Sequence, residues 1–491
     1  MSRLFYLITL LLLSSSAYSK HFEFDSSARD VYQKVLSLRF NEAYALLAHQ
    51  KLKDPDNLVL IHIENYIDFF TIYISEDKAV YDRLRKHKKK RLARIKEGDP
   101  SSPYYLYAQA DIRLQWALVQ LKFEDYLSAF NDVSKAYKLL QRNQEQFPDF
   151  MPNLKDLGIL HAMVGTIPDN YKWGARLLGL SGTIEQGQAE IQQVLDYAAT
   201  NDFIFETETH VLHAYFLLHL KHDYKGAWQA VKKGRLSPTT NPLHAFIMAN
   251  IAMRTGKNDE AIRILQQAPK TRQYVAFPYL EFMLGMAKLR RMDEDADQYF
   301  TAFLKKFRGR NFIKETYQKL AWHKLIAGDR EGYRRYMKAC LDHGDTESGE
   351  DKNAYLEAQA GTVPIAGLIK ARLLFDGGYY QRALTALEEV QKSDLKRSPN
   401  QLEYTYRMGR VLHGLQRYED AISAYRSTIT RGRKAPYFFA CNAALQMGLI
   451  YEEQGNVALA KAAFQDCLRI KPDEYRTGLH QKAKSGLARL E

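Results

Sequence analysis

The sequence predicts an all-α fold of paired antiparallel helices, and three observations carry this prediction. The stretch Tyr437–Pro472 has the pattern of two amphipathic helices joined at Gly455 and stopped by Pro472. Small residues recur at similar spacings through the second half of the chain. The composition favours helix over strand, since only 14 of the 491 residues are proline. A chain of this length exceeds a single core, so several domains or a solenoid are expected.

Within this stretch, small residues mark where the two helices are expected to touch. Gly448 lies on the first helix and Ala460 on the second, with Tyr451 and Phe464 filling the space beside them. This order resembles the tetratricopeptide-repeat family, whose pattern has Leu-Gly, Tyr, Ala, Phe and Pro at these offsets. Met447 stands in the Leu position. The resemblance implies a right-handed superhelical solenoid, and it implies further copies, because one unit cannot bury its apolar face alone.

The further copies can be counted through the small or inner residue of each second helix. Ala261 follows Ala227 by 34 positions, which is the period of the family. The later spacings are 35, 37, 50, 38 and 39, and the longest contains the polar loop His343–Asn353. The residues that end these spacings are Ala296, Tyr333, Ala383, Ala421 and Ala460.

The N-terminus has the pattern of a secretory signal peptide. Arg3 is followed by the apolar run Leu4–Leu13 and by the small-x-small site Ala17–Ser19. An uncleaved membrane anchor is the alternative, although the apolar run is short for a transmembrane helix. We therefore predict an exported, periplasmic protein that is soluble after cleavage. The predicted parts are a signal peptide (1–19), a helical repeat region (20–150), a Gly-rich helical insert (151–205), a tetratricopeptide array (206–472) and a capping helix (473–491).

Residues 153–200 differ from the neighbouring helices in their density of glycine. The segment GTIPDNYKWGARLLGLSGTIEQGQAEIQQVL resembles one in the eukaryotic tetratricopeptide-repeat family that includes a yeast mitochondrial outer-membrane protein needed for clearing inclusion bodies. We expect the glycines to let Trp173 and Leu177–Leu180 pack against a close helix. A phosphate-binding loop is the alternative, but the Gly-Lys-Ser/Thr ending and a preceding strand are missing.

The most charged stretch of the sequence is Arg83–Lys96, RLRKHKKKRLARIK. One interpretation is the solvated end of a helix. The other is contact with an anionic surface, such as phospholipid or lipopolysaccharide head groups. Nucleic acid is not expected as a partner despite the net charge of +13, because an exported chain rarely meets it and no nucleic-acid-binding fold is recognised. The residues assigned to the anionic surface are Arg85, Lys86, Lys88, Lys89, Lys90 and Arg91.

The sequence contains no pattern that predicts an enzyme, a metal site or a cofactor. Glu206, His210 and His213 fall on one helical face, but a single helix cannot close a tetrahedral metal site. The Gly-x-Ser-x-Gly, His-Glu-x-x-His and Walker sequences are missing. We therefore expect no catalytic residue, no cofactor and no small-molecule substrate.

The predicted function is a protein-interaction scaffold that displays a concave groove lined by the first helices of its repeats. Basic and amide groups beside aromatic rings suit an acidic or extended peptide, because Arg can hold a carboxylate in a bidentate grip. The full Lys/Asn/Arg set of chaperone-binding family members is missing. Ordinary solvated residues are the alternative for the groove, and a lipid-binding assembly or transport component is the alternative function. The groove-facing positions are Phe246, Asn250, Leu368, Arg372, Tyr406, Arg410, His413 and Asn442.

The three cysteines cannot all pair within one chain. In the tetratricopeptide register, Cys441 begins a first helix and Cys467 ends the second, so antiparallel packing brings them together. A disulfide and two small buried thiols both remain open at this point. Cys340 has no evident partner.

Overall fold

The computed structural model describes residues 20–167, 173, 179–396 and 398–490. Within these residues the chain forms 24 α-helices and one 3₁₀ helix, and its only β-structure there is two isolated bridges. The prediction of an all-α fold is confirmed. The signal peptide predicted for residues 1–19 lies outside the described residues.

The described chain divides into two compact units. Unit 1 holds the residues up to Ile251 together with Gln267–Tyr279 and Phe307–Gly309. Unit 2 holds Ala252–Gln266, Leu280–Lys306 and the residues from Arg310 onward. The repeat region, insert, array and cap drawn from the sequence stay predictions, because compact units and repeat regions are different divisions of a chain.

Unit 1 is built from consecutive helices that pack as antiparallel pairs. Side chains of Asp77, Ser102 and Thr183 accept backbone N–H groups at the first turns of three of these helices, which fixes where each begins. The helices are α1 (Ser26–Leu36), α2 (Phe40–Lys53), α3 (Val59–Ser75), α4 (Lys78–Ile95), α5 (Pro103–Lys122), α6 (Tyr126–Gln146), α7 (Met151–Gly165), α8 (Ile184–Ala198), α9 (Glu206–His219), α10 (Tyr224–Lys233) and α11 (Pro242–Arg254), whose last residues belong to unit 2.

Unit 2 continues the same arrangement, and its last three pairs stack in order. In this stack, α18 contacts α20 and α20 contacts α22, so the first helices of successive pairs lie side by side. Gln267, the last residue of α12, and Tyr279, the first residue of α13, belong to unit 1. The helices are α12 (Asn258–Gln267), α13 (Tyr279–Arg291), α14 (Ala296–Lys306), α15 (Ile313–Ile326), α16 (Arg330–Asp342), α17 (Gly349–Ala360), α18 (Ala366–Asp376), α19 (Tyr380–Glu388), α20 (Ser398–Gly414), α21 (Tyr418–Gly432), α22 (Phe439–Glu453), α23 (Val457–Arg469) and α24 (Arg476–Arg489).

The pair α22/α23 closes at the small residues that the sequence indicated. A Cβ atom added to Gly448 would overlap the ring of Phe464, and Ala460 is fully buried. Gly455 makes the turn between the helices at φ +72°, where residues with a side chain are strained. The same contact recurs one pair earlier, where a Cβ at Gly409 would lie 2.5 Å from the ring of Tyr425.

The last helix, α24, covers the end of this stack. It packs against both α22 and α23, and a Cβ at its Gly486 would also meet the ring of Phe464. Leu479 and Ala483 are buried in this contact, and Leu487 is partly buried. The pair α22/α23 therefore has α24 as an apolar partner on the side away from α20 and α21.

The basic stretch lies on α4, and the structure corrects part of its interpretation. Lys88 forms an ion pair with the buried Asp132 of α6, and Arg91 is itself buried and forms an ion pair with Asp68 of α3. The sequence analysis assigned Lys88 and Arg91 to an anionic surface, but both form ion pairs with carboxylates inside unit 1. The remaining four, Arg85, Lys86, Lys89 and Lys90, are exposed.

Trp173 is also placed differently from the prediction. Its side chain is 65% exposed, so it does not pack against a close helix as expected. Leu180 is buried, in agreement with the expectation. Residues 168–172 and 174–178, including Leu177 and Leu178, lie outside the described residues.

The contact between Gly448 and Phe464 predicts opposite effects for two Gly→Ala changes. Gly448→Ala should lower the free energy of unfolding by about 1–3 kcal/mol, because the methyl group has no space. Gly478→Ala in α24 meets open space and should raise it by about 0.5 kcal/mol through helix propensity. Chemical denaturation of both variants measures this. Equal stability of the two variants would contradict the close approach of α22 and α23.

The ion pairs of α4 predict a second contrast. Arg91→Ala should lower the free energy of unfolding by about 3–5 kcal/mol, because it leaves the buried Asp68 without its guanidinium partner. Lys89→Ala removes an exposed charge from the same helix and should stay within about 0.5 kcal/mol of the parent protein. Thermal and denaturant unfolding compare the two. A small effect of Arg91→Ala would show that the guanidinium is not committed to the interior.

Candidate functional site

A cavity of about 180 Å³ lies in unit 2 between the first helices α18 and α20. It combines guanidinium groups, a carboxylate, a phenol and apolar carbon. Because α18 and α20 are adjacent first helices, side chains one turn apart on each helix converge on it. Its lining residues are Ala371, Arg372, Phe375, Asp376, Tyr406, Arg407, Arg410 and Val411.

The hydroxyl of Tyr406 is the centre of a hydrogen-bond network beside the cavity. Its oxygen accepts a hydrogen bond from Nη1 of Arg410 at 2.9 Å and another from Nδ2 of Asn442 at 2.7 Å. The guanidinium of Arg410 also lies 4.6 Å from the ring centre of Phe375. A phenol oxygen that accepts twice keeps its own O–H proton, and within the described residues Tyr406 donates it to no acceptor.

Arg372 carries an exposed guanidinium at the same cavity. Its Cζ lies 5.1 Å from the ring centre of Trp322 on α15, which restricts where the guanidinium can move. Among the residues that the structure describes, it forms neither a hydrogen bond nor an ion pair. Its five N–H donors are therefore left to solvent or to a ligand.

The other charges around the cavity leave an excess of positive charge. Arg407 is neutralised by Glu403, with Nε and Oε1 separated by 2.7 Å. Asp376 is an exposed carboxylate in the wall and opposes the charges of Arg372 and Arg410. Two guanidinium groups thus face one carboxylate.

His413 follows Arg410 by three residues but adds no charge at neutral pH. Burial, and then the positive charge of Arg410, lower the pKa of His413 to about 4. Its ring lies near those of Tyr418 and Tyr425, at 5.9 and 6.4 Å between centres. His413 is therefore a neutral ring among aromatic neighbours.

The structure brings together part of the predicted groove. Arg372, Tyr406 and Arg410 line the cavity, and Asn442 holds the hydroxyl of Tyr406. Leu368, which was expected to face the groove, is instead buried in the core of unit 2. Leu368 is 1% exposed and contributes to the packing of the helices rather than to an open surface.

Phe246 and Asn250 belong to unit 1. The ring of Phe246 lies 5.4 Å from that of Phe277 and 6.0 Å from that of Tyr279. Asn250 accepts a hydrogen bond from the hydroxyl of Tyr215 at 3.4 Å. Both residues are thus engaged with aromatic neighbours of their own unit.

Sequence reasoning missed Trp322, Phe375 and Asp376. Phe375 and Asp376 lie one helical turn beyond Arg372, so extending the groove positions by a turn would have found them. Trp322 comes before the 50-residue spacing, where the repeat register was broken, and no local signal tied it to Arg372.

The sequence analysis also considered a metal site at the histidines of α9 and a disulfide between Cys441 and Cys467. In the described residues no cluster of three or more His, Cys, Asp or Glu side chains could hold a metal ion. Cys441 and Cys467 are free thiols that face each other across α22 and α23, with their sulfur atoms 3.5 Å apart. The structure therefore has two buried thiols rather than a disulfide.

No helix in the described part is both long and apolar enough to cross a bilayer.

Two family models match the chain, and both are described as a tetratricopeptide repeat. They cover residues 370–436 and 442–474, which correspond to α18–α21 and to α22–α23. These matches lie in the C-terminal part of the predicted array. No curated protein matches the chain.

Several solved structures are similar to this chain at low identity. One is the tetratricopeptide domain of P58(IPK), 14% identical over 84% of this chain and 97% of that chain, with a TM-score of 0.21. Another is yeast Tom70, 14% identical over 95% and 97%, with a TM-score of 0.24. A third is the Cut9–Hcn1 hetero-tetramer of APC/C, 12% identical over 96% and 99%, with a TM-score of 0.21. At these TM-scores the three structures carry no argument, so the assignment of tetratricopeptide repeats rests on the two family models and on the paired helices. Residues 370–436 and 442–474 of this chain are therefore assigned as tetratricopeptide repeats.

Proposed function

We propose that this protein is an exported interaction scaffold whose unit 2 binds an acidic segment of a protein partner. The observation that supports this proposal most directly is the cavity between α18 and α20. The unpaired guanidinium of Arg372 and the hydroxyl of Tyr406 both line it. Tetratricopeptide repeats support the coarser statement, a scaffold for protein partners. Export rests on the signal peptide predicted from the sequence and is tested by N-terminal sequencing of the chain recovered from its native compartment.

A carboxylate from the partner fits the chemistry of this cavity. Arg372 offers parallel N–H donors that match the two oxygens of a carboxylate, and Tyr406 offers one O–H donor. Phe375 and Val411 supply apolar carbon against which the methylene groups of an Asp or Glu side chain can pack. A volume of about 180 Å³ holds a side chain rather than a folded segment, so the cavity acts as an anchor point within a longer contact.

The donors are held in place before a ligand arrives. Asn442 and Arg410 fix the oxygen of Tyr406, and Trp322 restricts the guanidinium of Arg372. Groups that are already ordered lose less conformational entropy on binding. An extended acidic peptide laid along the first helices would therefore meet a prepared site rather than form one.

Asp376 gives the site a means of discrimination. Its carboxylate lies in the cavity wall and repels a ligand that does not pair with both guanidinium groups. A partner carboxylate must therefore gain enough from Arg372 and Tyr406 to offset the repulsion by Asp376.

Charge changes in the cavity test this proposal. Arg372→Glu should weaken binding of a fluorescent poly-glutamate peptide at least about tenfold, because it replaces the unpaired guanidinium by a repelling carboxylate. Asp376→Asn should strengthen binding, because it removes the opposing carboxylate. Fluorescence polarisation at low and at physiological salt measures both.

The matched control is Arg334→Glu, which changes an exposed guanidinium on α16 of the same unit that forms no ion pair in the described structure. It carries the same change in net charge and should leave peptide binding within about twofold, since exposed charges at a distance are screened. If both Arg→Glu variants weaken binding equally, the peptide responds to net charge and the cavity is not its site. A poly-glutamine peptide that binds as well as poly-glutamate would also contradict the proposal.

A further inference from the structure

The first helices of the pairs in unit 1 form a closed circle. The helices α1, α3, α5, α7 and α9 contact one another in this order. The circle closes where α1 meets the residues before α9. There the ring centres of Tyr32 and Phe205 lie 5.8 Å apart, and Arg29 forms an ion pair with Asp202. Stacked repeats present an open concave surface in many proteins, whereas these first helices enclose an interior.

Ionisable groups from four of these helices meet in this interior. Nε2 of His62 on α3 lies 2.6 Å from Oδ2 of Asp111 on α5. Lys155 on α7 forms ion pairs with its neighbour Asp156 at 2.8 Å and with Glu208 on α9 at 3.0 Å. The first four of these residues are buried, and the side chain of Glu208 is 24% exposed. We call these five residues the interior cluster.

Three buried tyrosines lie beside the interior cluster. The ring centre of His62 lies 5.6 Å from that of Tyr66 and 6.0 Å from that of Tyr107. The ring of Tyr32 on α1 lies 5.5 Å from that of Tyr66. Burial raises the pKa of all three phenols. The tyrosines therefore stay neutral and supply no charge to the interior.

The interior cluster has more acidic than basic groups. It contains three carboxyl groups and two groups that can carry a positive charge. Even with His62 protonated beside Asp111, one negative charge is left without a partner in the cluster. Arg91 is the nearest large cation of α4, and it forms its own ion pair with Asp68. Because an unbalanced buried charge is costly, the cluster favours binding one proton.

The helices α6 and α8 also pack against α7, and their polar contacts with it are of a different kind. Asn143 of α6 donates a hydrogen bond to Asn153 of α7 at 2.9 Å, which is a neutral contact. Glu190 of α8 pairs with His161 of α7 at 2.6 Å. These contacts leave the extra negative charge of the interior cluster in place.

Asp156 is the carboxyl group that best accommodates this proton. Its Oδ1 faces Lys155, while its buried Oδ2 has no hydrogen-bond partner in the described structure. An ionised oxygen without a donor is costly in an interior. Burial raises the pKa of Asp156 to about 7; Lys155 opposes this shift, and the charges of Asp111 and Glu208 add to it. Burial would also raise the pKa of Asp111, but His62 outweighs it and lowers this pKa.

We propose that Asp156 is a proton switch that couples the closed circle of unit 1 to pH. With Asp156 protonated, the interior cluster is balanced and α5, α7 and α9 pack together. When Asp156 loses its proton, three carboxylates oppose one another among these helices and loosen them. The partly exposed Glu208, which shares Lys155 with Asp156, connects the interior cluster to solvent. The switch lies in unit 1 and does not depend on the cavity in unit 2.

The raised pKa of Asp156 fixes the direction of the response. The carboxyl has a pKa of 3.8 in an unfolded chain and of about 7 in the folded protein. Between these values the folded protein keeps a proton that the unfolded chain has released. The stabilisation by this proton is complete below 3.8 and is lost as the pH rises to about 7. Unit 1 should therefore be more stable in mildly acidic than in mildly alkaline solution.

Hydrogen exchange of the full chain, read by mass spectrometry of its peptides, tests the proposal. After correction for the intrinsic pH dependence of exchange, the opening equilibrium of amides in α7 and α9 should rise at least about tenfold between about pH 5 and pH 8. Asp156→Asn should remove this rise, because its amide oxygen can still accept from Lys155 but cannot ionise. Amides of α22 and α23 in unit 2 should change less than about twofold in both proteins.

The matched control is Asp149→Asn, which makes the same change at an exposed carboxyl group just before α7. This variant should keep the pH response of the parent protein. An equal pH response in the parent protein and in Asp156→Asn would overturn the proposal. So would a parent protein whose α7 and α9 amides show no pH response.

A second measurement needs no variant and therefore does not depend on the folding of Asp156→Asn. Infrared spectra of the chain with isotope-labelled aspartate should contain the band of a protonated aspartic acid at about pH 5, and this band should disappear by about pH 8. Absence of a protonated aspartic acid at about pH 5 would overturn the proposal.

Discussion

The close approach of the two helices in each repeat is the contact on which unit 2 depends. Gly409 and Gly448 let the rings of Tyr425 and Phe464 lie directly against the first helix of their pair. A larger residue would push the helices apart and would shift each pair relative to the next. This spacing brings α18 beside α20 and α20 beside α22, and the cavity exists because these first helices are neighbours.

Unit 1 has a hydrophobic core of its own and, in addition, a set of buried ion pairs. Its helices α3, α4, α5 and α6 are tied by ion pairs that include the buried Arg91, Asp68 and Asp132. Buried charges contribute little when their partners are present and cost much when a partner is lost. They therefore act mainly to specify how the helices fit, while the charges left on the surface, such as Lys89, remain for contact with other molecules.

Local patterns in the sequence predicted the features whose causes are local. The turn at Gly455 and the contact between Gly448 and Phe464 follow from residues within one helix pair, and the structure has both. The ion pairs of Lys88 with Asp132 and of Arg91 with Asp68 could not be predicted in this way. The partners are 44 and 23 residues away along the sequence, on other helices. The stacking of Arg372 on Trp322 was missed for the same reason, since an irregular spacing separates α15 from α18. Tyr406 and Asn442 were recognised because each precedes the small glycine of its first helix, by three and by six positions, in the part expected to face the groove.

The central claim is that the cavity between α18 and α20 receives a carboxylate from an extended acidic peptide. The most direct measurement is photo-crosslinking of such a peptide, with the reactive group next to a Glu residue, followed by mapping of the adducts by mass spectrometry. We expect adducts on the cavity-lining segments of α18 and α20, around Phe375 and Tyr406, and we expect free glutamate to compete for them. Adducts spread over other basic surfaces, or confined to unit 1, would contradict the account.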